Sequence, residues 1–164
     1  MANILREHSK ISGHSYAFPS VLPNFIPNSA YVKSREDAVI WICKNQIGRR
    51  NITDEQRTYL LGKQYEATKR RYGGDRKSSS HNEDLNRGRT AIRVSEEMGV
   101  SGSTVERAGN FATGMDAIGA SEPKLKGDIL SGKVSVPKMD IQSIAKIPEL
   151  ERPAAIEKIR RAVE

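Results

Sequence analysis

The stretch from Ala91 to Gly109 contains two amphipathic helical patterns separated by a very short interruption. In the first pattern, Ala91, Val94 and Met98 recur at helical spacing and would face a core. Gly99 follows directly, and glycine adopts a left-handed backbone at little cost. The spacing therefore predicts a helix that ends in a sharp turn at Gly99.

The second pattern begins immediately after this turn. Val100 is predicted to point back into the core, and Ser101 can cap the new helix through its hydroxyl. The new helix should bury Val105, Ala108 and Ala112. The two patterns together indicate a helix-turn-helix, with an ordinary pair of helices in a bundle as the alternative.

A helix-turn-helix suits duplex DNA because the major groove admits one α-helix while the other helix braces across the backbone. Arg107 can make a bidentate contact with guanine, worth about 1–3 kcal/mol of discrimination. Asn110 suits adenine but lies farther along the helix, and Glu106 could accept from cytosine or orient Arg107. We predict base readout by Ser101, Ser103, Thr104, Glu106, Arg107 and Asn110.

The charge balance points to a polyanionic partner. The chain carries 27 Lys+Arg against 20 Asp+Glu, a formal net charge of +7. Nucleic acid is the partner that such a charge most often indicates, with an anionic membrane surface as the rival. We predict phosphate contacts by Lys69, Arg70, Arg71, Arg76, Lys77, Arg89 and Arg93. The alternative for the basic run that begins at Lys69 is a solvated tether.

The pattern along the chain predicts a mainly α fold. It should be a helical bundle that contains the helix-turn-helix, with an irregular Pro-rich N-terminal arm. The expected units are the extended arm 1–33, a helical pair 34–72, a flexible basic linker 73–88, the helix-turn-helix 89–118 and C-terminal helices 119–164. Ser34 and the box from Thr53 to Gln56 should cap the first two helices.

Three segments carry a family resemblance. They read "WICKNQIGRRNITDEQRTYLLGKQYE" (41–66), "RTAIRVSEEMGVSGSTVERAGNFA" (89–112) and "DILSGKVSVPKMDIQSIAKI" (128–147). Together they resemble ParB-like partition proteins of plasmids, phages and integrative elements. The resemblance implies a helical DNA-binding domain and a homodimer on palindromic sites. It also implies a role in DNA partition or in transcriptional regulation of a mobile element.

The resemblance also raises the question of nucleotide binding. In the family an α/β nucleotide-binding or nuclease-like domain precedes the helices, and some relatives hydrolyse CTP. Its last phosphate-contacting motif resembles Asn45, Gln46, Arg49, Arg50 and Asn51 here. The arginine-rich box expected upstream is not visible, so we expect no complete CTP site. Arg49 and Arg50 could be part of a nucleotide site, contact DNA phosphate or lie in a solvated turn. The chain could be a naturally truncated member of the family or a fragment of a member.

Other chemistry finds little support in the sequence. The three histidines, His8, His14 and His81, are scattered, so no metal site is expected. No catalytic arrangement is visible, and we do not expect an enzyme. Cys43 and Trp41 lie in an apolar run and are predicted to be core residues.

The setting and the partners follow from the same patterns. No apolar run approaches the roughly 18 residues of a membrane span, and no signal peptide is visible, so we expect a cytoplasmic protein. Double-stranded DNA is the expected partner. The alternative is an adaptor that binds another protein, such as a partition ATPase or a host defence factor.

Overall fold

The computed structural model describes residues 32–72 and 80–163, with side chains over 32–71 and 89–163. The predicted arm up to residue 31 and residues 73–79 of the predicted linker lie outside this part of the chain. The described residues form helices and turns without a strand, so the predicted mainly α bundle is confirmed. The helices are α1 (Arg35–Ile47), α2 (Asp54–Tyr72), α3 (Ser80–Met98), α4 (Gly102–Ser121), α5 (Pro123–Leu130), α6 (Lys138–Lys146) and α7 (Arg152–Val163), with a 3-10 helix (Glu149–Glu151) before α7.

Side-chain caps start α1 and α2 as predicted. Ser34 Oγ accepts a hydrogen bond from the Asp37 amide at 3.1 Å. At the start of α2, Thr53 Oγ1 accepts from the Gln56 amide, and Gln56 Oε1 accepts from the Thr53 amide, both at 3.0 Å. These bonds satisfy backbone groups that the first turn of a helix leaves open.

Helix α4 runs through the middle of the bundle and belongs to two apolar clusters of the described residues. Its N-terminal half packs against α1, α2 and α3 through Val105 and Ala108. Its C-terminal half packs against α5, α6 and α7 through Phe111, Met115 and Ile118. Helix α4 therefore crosses the predicted boundary between the units 89–118 and 119–164 and contributes to both clusters.

Three further helices, α5, α6 and α7, lie within the predicted C-terminal unit 119–164. Proline stands at the start of each of the first two, with Pro123 at the opening of α5 and Pro137 before α6. They bury isoleucine side chains in the cluster that they share with α4. The fully buried ones are Ile129, Ile141 and Ile144, and Ile156 of α7 is 3 % exposed.

Glycines allow α4 to pack very closely against its neighbours. A Cβ on Gly62 of α2 would lie 2.0 Å from the Ala108 carbonyl oxygen. A Cβ on Gly114 of α4 would lie 2.0 Å from the Ile141 carbonyl oxygen of α6. Any side chain at either position would force two helix backbones apart, so α4 is held by direct backbone contact on both sides.

A polar cluster ties α2, α4 and α5 together. Asp116 Oδ1 accepts from the Tyr59 hydroxyl at 2.6 Å and from Lys126 Nζ at 2.8 Å, and Oδ2 accepts from Lys63 Nζ at 2.8 Å. Lys126 Nζ also lies 4.6 Å from the centre of the Tyr59 ring. Burial opposes ionisation of Asp116, but the hydrogen bonds from Lys126, Lys63 and Tyr59 outweigh it, so the pKa of Asp116 is lowered.

The prediction that Trp41 is a core residue is wrong. Helix α1 buries Ile40, Cys43 and Ile47, whereas Trp41 and Ile42 are 43 % and 48 % exposed. A helix turns by about 100° per residue, so a continuous apolar run places some of its members on the outer side. Cys43 is buried as predicted, and burial raises the pKa of its thiol.

Helix α3 begins earlier than the sequence pattern predicts. It starts at Ser80 and so includes residues 80–88, which the sequence pattern predicts to be part of the flexible linker. The Gly, Ser and Asn content of this stretch favours a linker, but the stretch contains no proline. Adding turns to a helix that already packs through Ala91 and Val94 costs far less than starting a new one, so the helix extends backwards.

The close approach of α4 to α6 makes a direct prediction. Gly114→Ala places a methyl group against the Ile141 carbonyl, and we expect it to lower the free energy of unfolding by about 2–3 kcal/mol. Gly127→Ala is the matched control, because a Cβ at Gly127 of α5 meets nothing within 4 Å. The control should raise stability by up to about 1 kcal/mol. Urea denaturation followed by circular dichroism measures both, and equal stability of the two variants would contradict the packing argument.

The lowered pKa of Asp116 makes a second prediction. Because the folded state prefers the ionised carboxylate, the stabilising contribution is present above the unfolded-state pKa of about 3.9 and is lost as the pH falls through the lower folded-state pKa. Asp116→Asn should therefore reduce the free energy of unfolding at pH 7. In this variant the free energy of unfolding should also decrease less than in the parent protein as the pH falls below about 4. Asp140→Asn, an exposed carboxylate on α6, serves as the control. If both variants keep the acid dependence of the parent protein, the cluster does not stabilise the fold in this way.

Candidate nucleic-acid interface

A tight turn at Gly99 joins α3 to α4. The φ angle of Gly99 is +65°, in the left-handed region that favours glycine, as predicted. The Val100 amide donates to the Ser95 carbonyl at 3.1 Å, a bond typical of a Schellman helix end. The Val100 side chain is 37 % exposed, so the prediction that it points into the core is wrong. Its amide, not its side chain, closes the turn.

Ser101 caps α4 as predicted. Its Oγ accepts from the Thr104 amide at 3.2 Å. The same oxygen lies 2.8 Å from the Thr104 hydroxyl and 3.0 Å from the Ser103 hydroxyl. The start of α4 is therefore a cluster of small hydroxyl groups that orient one another, above the free amides of the first helical turn.

The outer side of α4 is open over its first turns and closed farther along. Val105 is 0 % exposed and Ala108 is 1 % exposed, so the inner side is core as predicted. Asn110 is half-buried and belongs to the part of α4 that enters the bundle. The residues that remain exposed on the outer side are Ser103, Thr104, Glu106 and Arg107.

The candidate phosphate contacts differ in their surroundings. Arg70 is exposed and Lys69 is half-buried at the end of α2, and Arg89 and Arg93 are exposed on α3. Arg71 forms an ion pair with Asp37 at 3.0 Å, and that carboxylate is only 9 % exposed, so Arg71 helps to join α2 to α1. Arg76 and Lys77 lie outside the described residues.

The packing order places the end of α2 beside the start of α4. Contacts between these helices run in antiparallel order. The matched pairs are Tyr59 with Asp116, Gly62 with Ala112, and Tyr65 with Gly109. Continuing this order carries Lys69 and Arg70 to the end of the bundle at which α4 begins. The cations of α2 and the open turns of α4 therefore lie at the same end of the bundle.

A separate cavity of about 390 Å³ lies where α1 leads into α2. Of the five candidate phosphate or nucleotide residues, Gln46, Arg49 and Asn51 line it, whereas Asn45 and Arg50 do not. The other lining residues are Ile52, Gln56, Tyr59 and Leu60. The sequence patterns did not identify these four as site residues. Tyr59 and Leu60 lie three and four positions after Gln56, so the three share one side of α2, and this spacing could have indicated them.

Comparison of the chain with known protein families, curated proteins and solved structures gave no match. The resemblance to ParB-like proteins therefore stays a prediction from the segments quoted above. In the described part of the chain, no helix combines the length and the apolar character needed to cross a membrane.

Proposed function

We propose that this protein binds double-stranded DNA in a sequence-specific way, as a ParB-like protein that acts in DNA partition or in transcriptional regulation of a mobile element. The observation that carries the proposal is the placement of α4. Its first turns expose Ser103, Thr104 and Arg107, while its inner side is core from Val105 to Ile118. A recognition helix needs this arrangement, because its N-terminal residues contact base edges while its other side is anchored.

The chemistry of the open turns fits the major groove. Ser103 and Thr104 are small, so the helix start can approach the bases closely, and the free amides of the first turn favour a phosphate oxygen. Arg107 follows one turn later and can make the bidentate contact with guanine that gives the strongest single discrimination. Glu106 would either accept from cytosine or hold Arg107 in place.

Basic residues around α4 supply the contacts that do not depend on sequence. Lys69 and Arg70 lie at the same end of the bundle as the start of α4, and Arg89 and Arg93 are exposed on the bracing helix α3. Each cation that neutralises a phosphate releases a condensed counterion, so binding should weaken steeply as salt rises. The net charge of +7 is consistent with such a partner.

A homodimer is part of the proposal, because partition and regulatory proteins of this type act on palindromic sites. Selection of bound sequences from a random duplex pool tests the binding and the symmetry together. Two inverted half-sites would support a dimer that places two α4 helices in successive major grooves. Recovery of no preferred sequence would overturn the proposal of sequence-specific binding.

The cavity between α1 and α2 supports a second candidate function, the binding of a phosphate-bearing ligand such as CTP. Arg49 provides a cation and Gln46 and Asn51 provide amide groups, while Ile52 and Leu60 provide an apolar side. Ligand sites usually combine a mostly apolar surface with a few polar groups in this way. In this second candidate function, the nucleotide would bind in this cavity.

Two substitutions separate base readout from phosphate contact. Arg107→Ala should reduce the preference for the selected duplex over a scrambled one by about 1–3 kcal/mol. Arg89→Ala should weaken binding to both duplexes alike. It should also reduce the slope of log affinity against log salt concentration by about 1. Fluorescence anisotropy titrations at several salt concentrations measure both effects. Lys158→Ala, an exposed lysine of α7 away from the α3–α4 turn, is the control. Equal losses on both duplexes for Arg107→Ala would contradict the readout role.

The second candidate has its own test. If the cavity binds CTP, the ligand should raise the melting temperature of the protein, because binding to the folded state alone stabilises it. Arg49→Ala should abolish the shift, and Arg50→Ala, whose side chain does not line the cavity, should retain it. Differential scanning fluorimetry with and without CTP gives the result, and no shift in the parent protein would rule out this candidate.

A further inference from the structure

Glu97 connects three helices through one carboxylate. It lies in the last turn of α3, just before the Gly99 turn. Lys44 of α1 donates from Nζ to Glu97 Oε1, in an ion pair. Gln64 of α2 donates from Nε2 to Glu97 Oε2 at 3.1 Å. Each carboxylate oxygen is therefore bound by a different helix, and the end of α3 is fixed against both.

The apolar packing of α3 does not supply the same precision. The fully or nearly buried side chains described on α3 are small, namely Thr90, Ala91 and Val94, and Met98 is only partly buried. Helix α4, in contrast, is held by large buried side chains and by the backbone contact at Gly62. A stripe of small side chains limits the rotation and sliding of a helix less strictly than large interlocking ones do.

Gln64 gives an independent indication that the contact matters. Its side chain is 0 % exposed, and its Oε1 has no hydrogen-bond partner. A buried carbonyl oxygen that lacks a partner costs stability, which an apolar residue of similar size would avoid. Glutamine at position 64 therefore costs some stability. The interaction that it gains in return is the hydrogen bond from its amide nitrogen to Glu97.

We propose that Lys44, Gln64 and Glu97 form a clamp that positions α3 relative to α4 for DNA binding. This inference rests on the proposed function. Arg89, eight residues before Glu97, lies about 12 Å farther along the axis of α3. A helix that slides by one residue moves such a group by about 1.5 Å and turns it by about 100°. The clamp residues are positioning residues, because they act through the cations of α3 and not through contact with DNA.

The proposal predicts an effect opposite in sign to that of simple charge. Glu97→Gln removes a negative charge, and electrostatics alone would strengthen binding to DNA. If the clamp positions α3, the same substitution should weaken binding by about fivefold, the effect of losing a partly exposed ion pair. Because α4 is held by the core, the ratio of affinities for the selected and scrambled duplexes should stay unchanged.

The matched control is Glu96→Gln. Glu96 is exposed on the neighbouring position of α3, and its substitution makes the same change in net charge. It should therefore bind both duplexes at least as tightly as the parent protein. Anisotropy titrations of the parent, Glu96→Gln and Glu97→Gln on the two duplexes give the comparison, and thermal melting confirms that each variant is folded.

A second pair of variants keeps the test decisive if Glu97→Gln does not fold. Lys44→Arg retains the ion pair and should keep the affinity of the parent. Lys44→Met removes the pair and should lower the affinity for DNA more than Lys146→Met does. Lys146 is an exposed lysine of α6, so its substitution makes the same change in net charge. If Glu97→Gln binds as tightly as Glu96→Gln, or Lys44→Met matches Lys146→Met, the clamp is refuted and the proposed function stands. If the parent protein binds neither duplex, the proposed function fails and the clamp fails with it.

Discussion

Backbone contact between α4 and its two neighbours is the constraint on which the rest of the structure depends. Gly62 lets α4 lie directly against α2, and Gly114 lets it lie directly against α6. Around these contacts the side chains of Phe111, Met115 and Ile118 fill the core without exposed surface. A helix held so closely over most of its length can leave its first turns open without losing its position, and the DNA-reading role proposed for α4 needs that property.

The two helices of the proposed DNA-binding unit are held by different kinds of interaction. Apolar packing holds α4, because its buried surface is large and its neighbours approach closely. Polar contacts hold the end of α3, because hydrogen bonds to Glu97 fix direction and register where small side chains do not. The difference explains why the Gly99 turn can be short: each helix is already placed by its own contacts, and the turn only has to join them.

The sequence predicts local features such as helix caps well. It predicts less well which side chains face the core. The caps at Ser34, Thr53 and Ser101 were found because a cap depends on residues within one turn. Trp41 and Val100 were placed wrongly, because burial depends on which neighbouring helix covers a side chain. The network of Lys44, Gln64 and Glu97 was not found, since its members are separated by 53 and 33 positions along the chain.

The sequence by itself determined the helical class, the starts of α1, α2 and α4, the end of α3 at Gly99, and the outward side of the first turns of α4. These features follow from periodicity, caps and glycine, which act over a few residues. Only the tertiary structure decided that α4 is the central helix, that the cations of α2 lie at the end of the bundle where α4 begins, and that part of the motif at Asn45–Asn51 lines a cavity. Those outcomes depend on how helices approach one another, and contacts between distant residues set that approach.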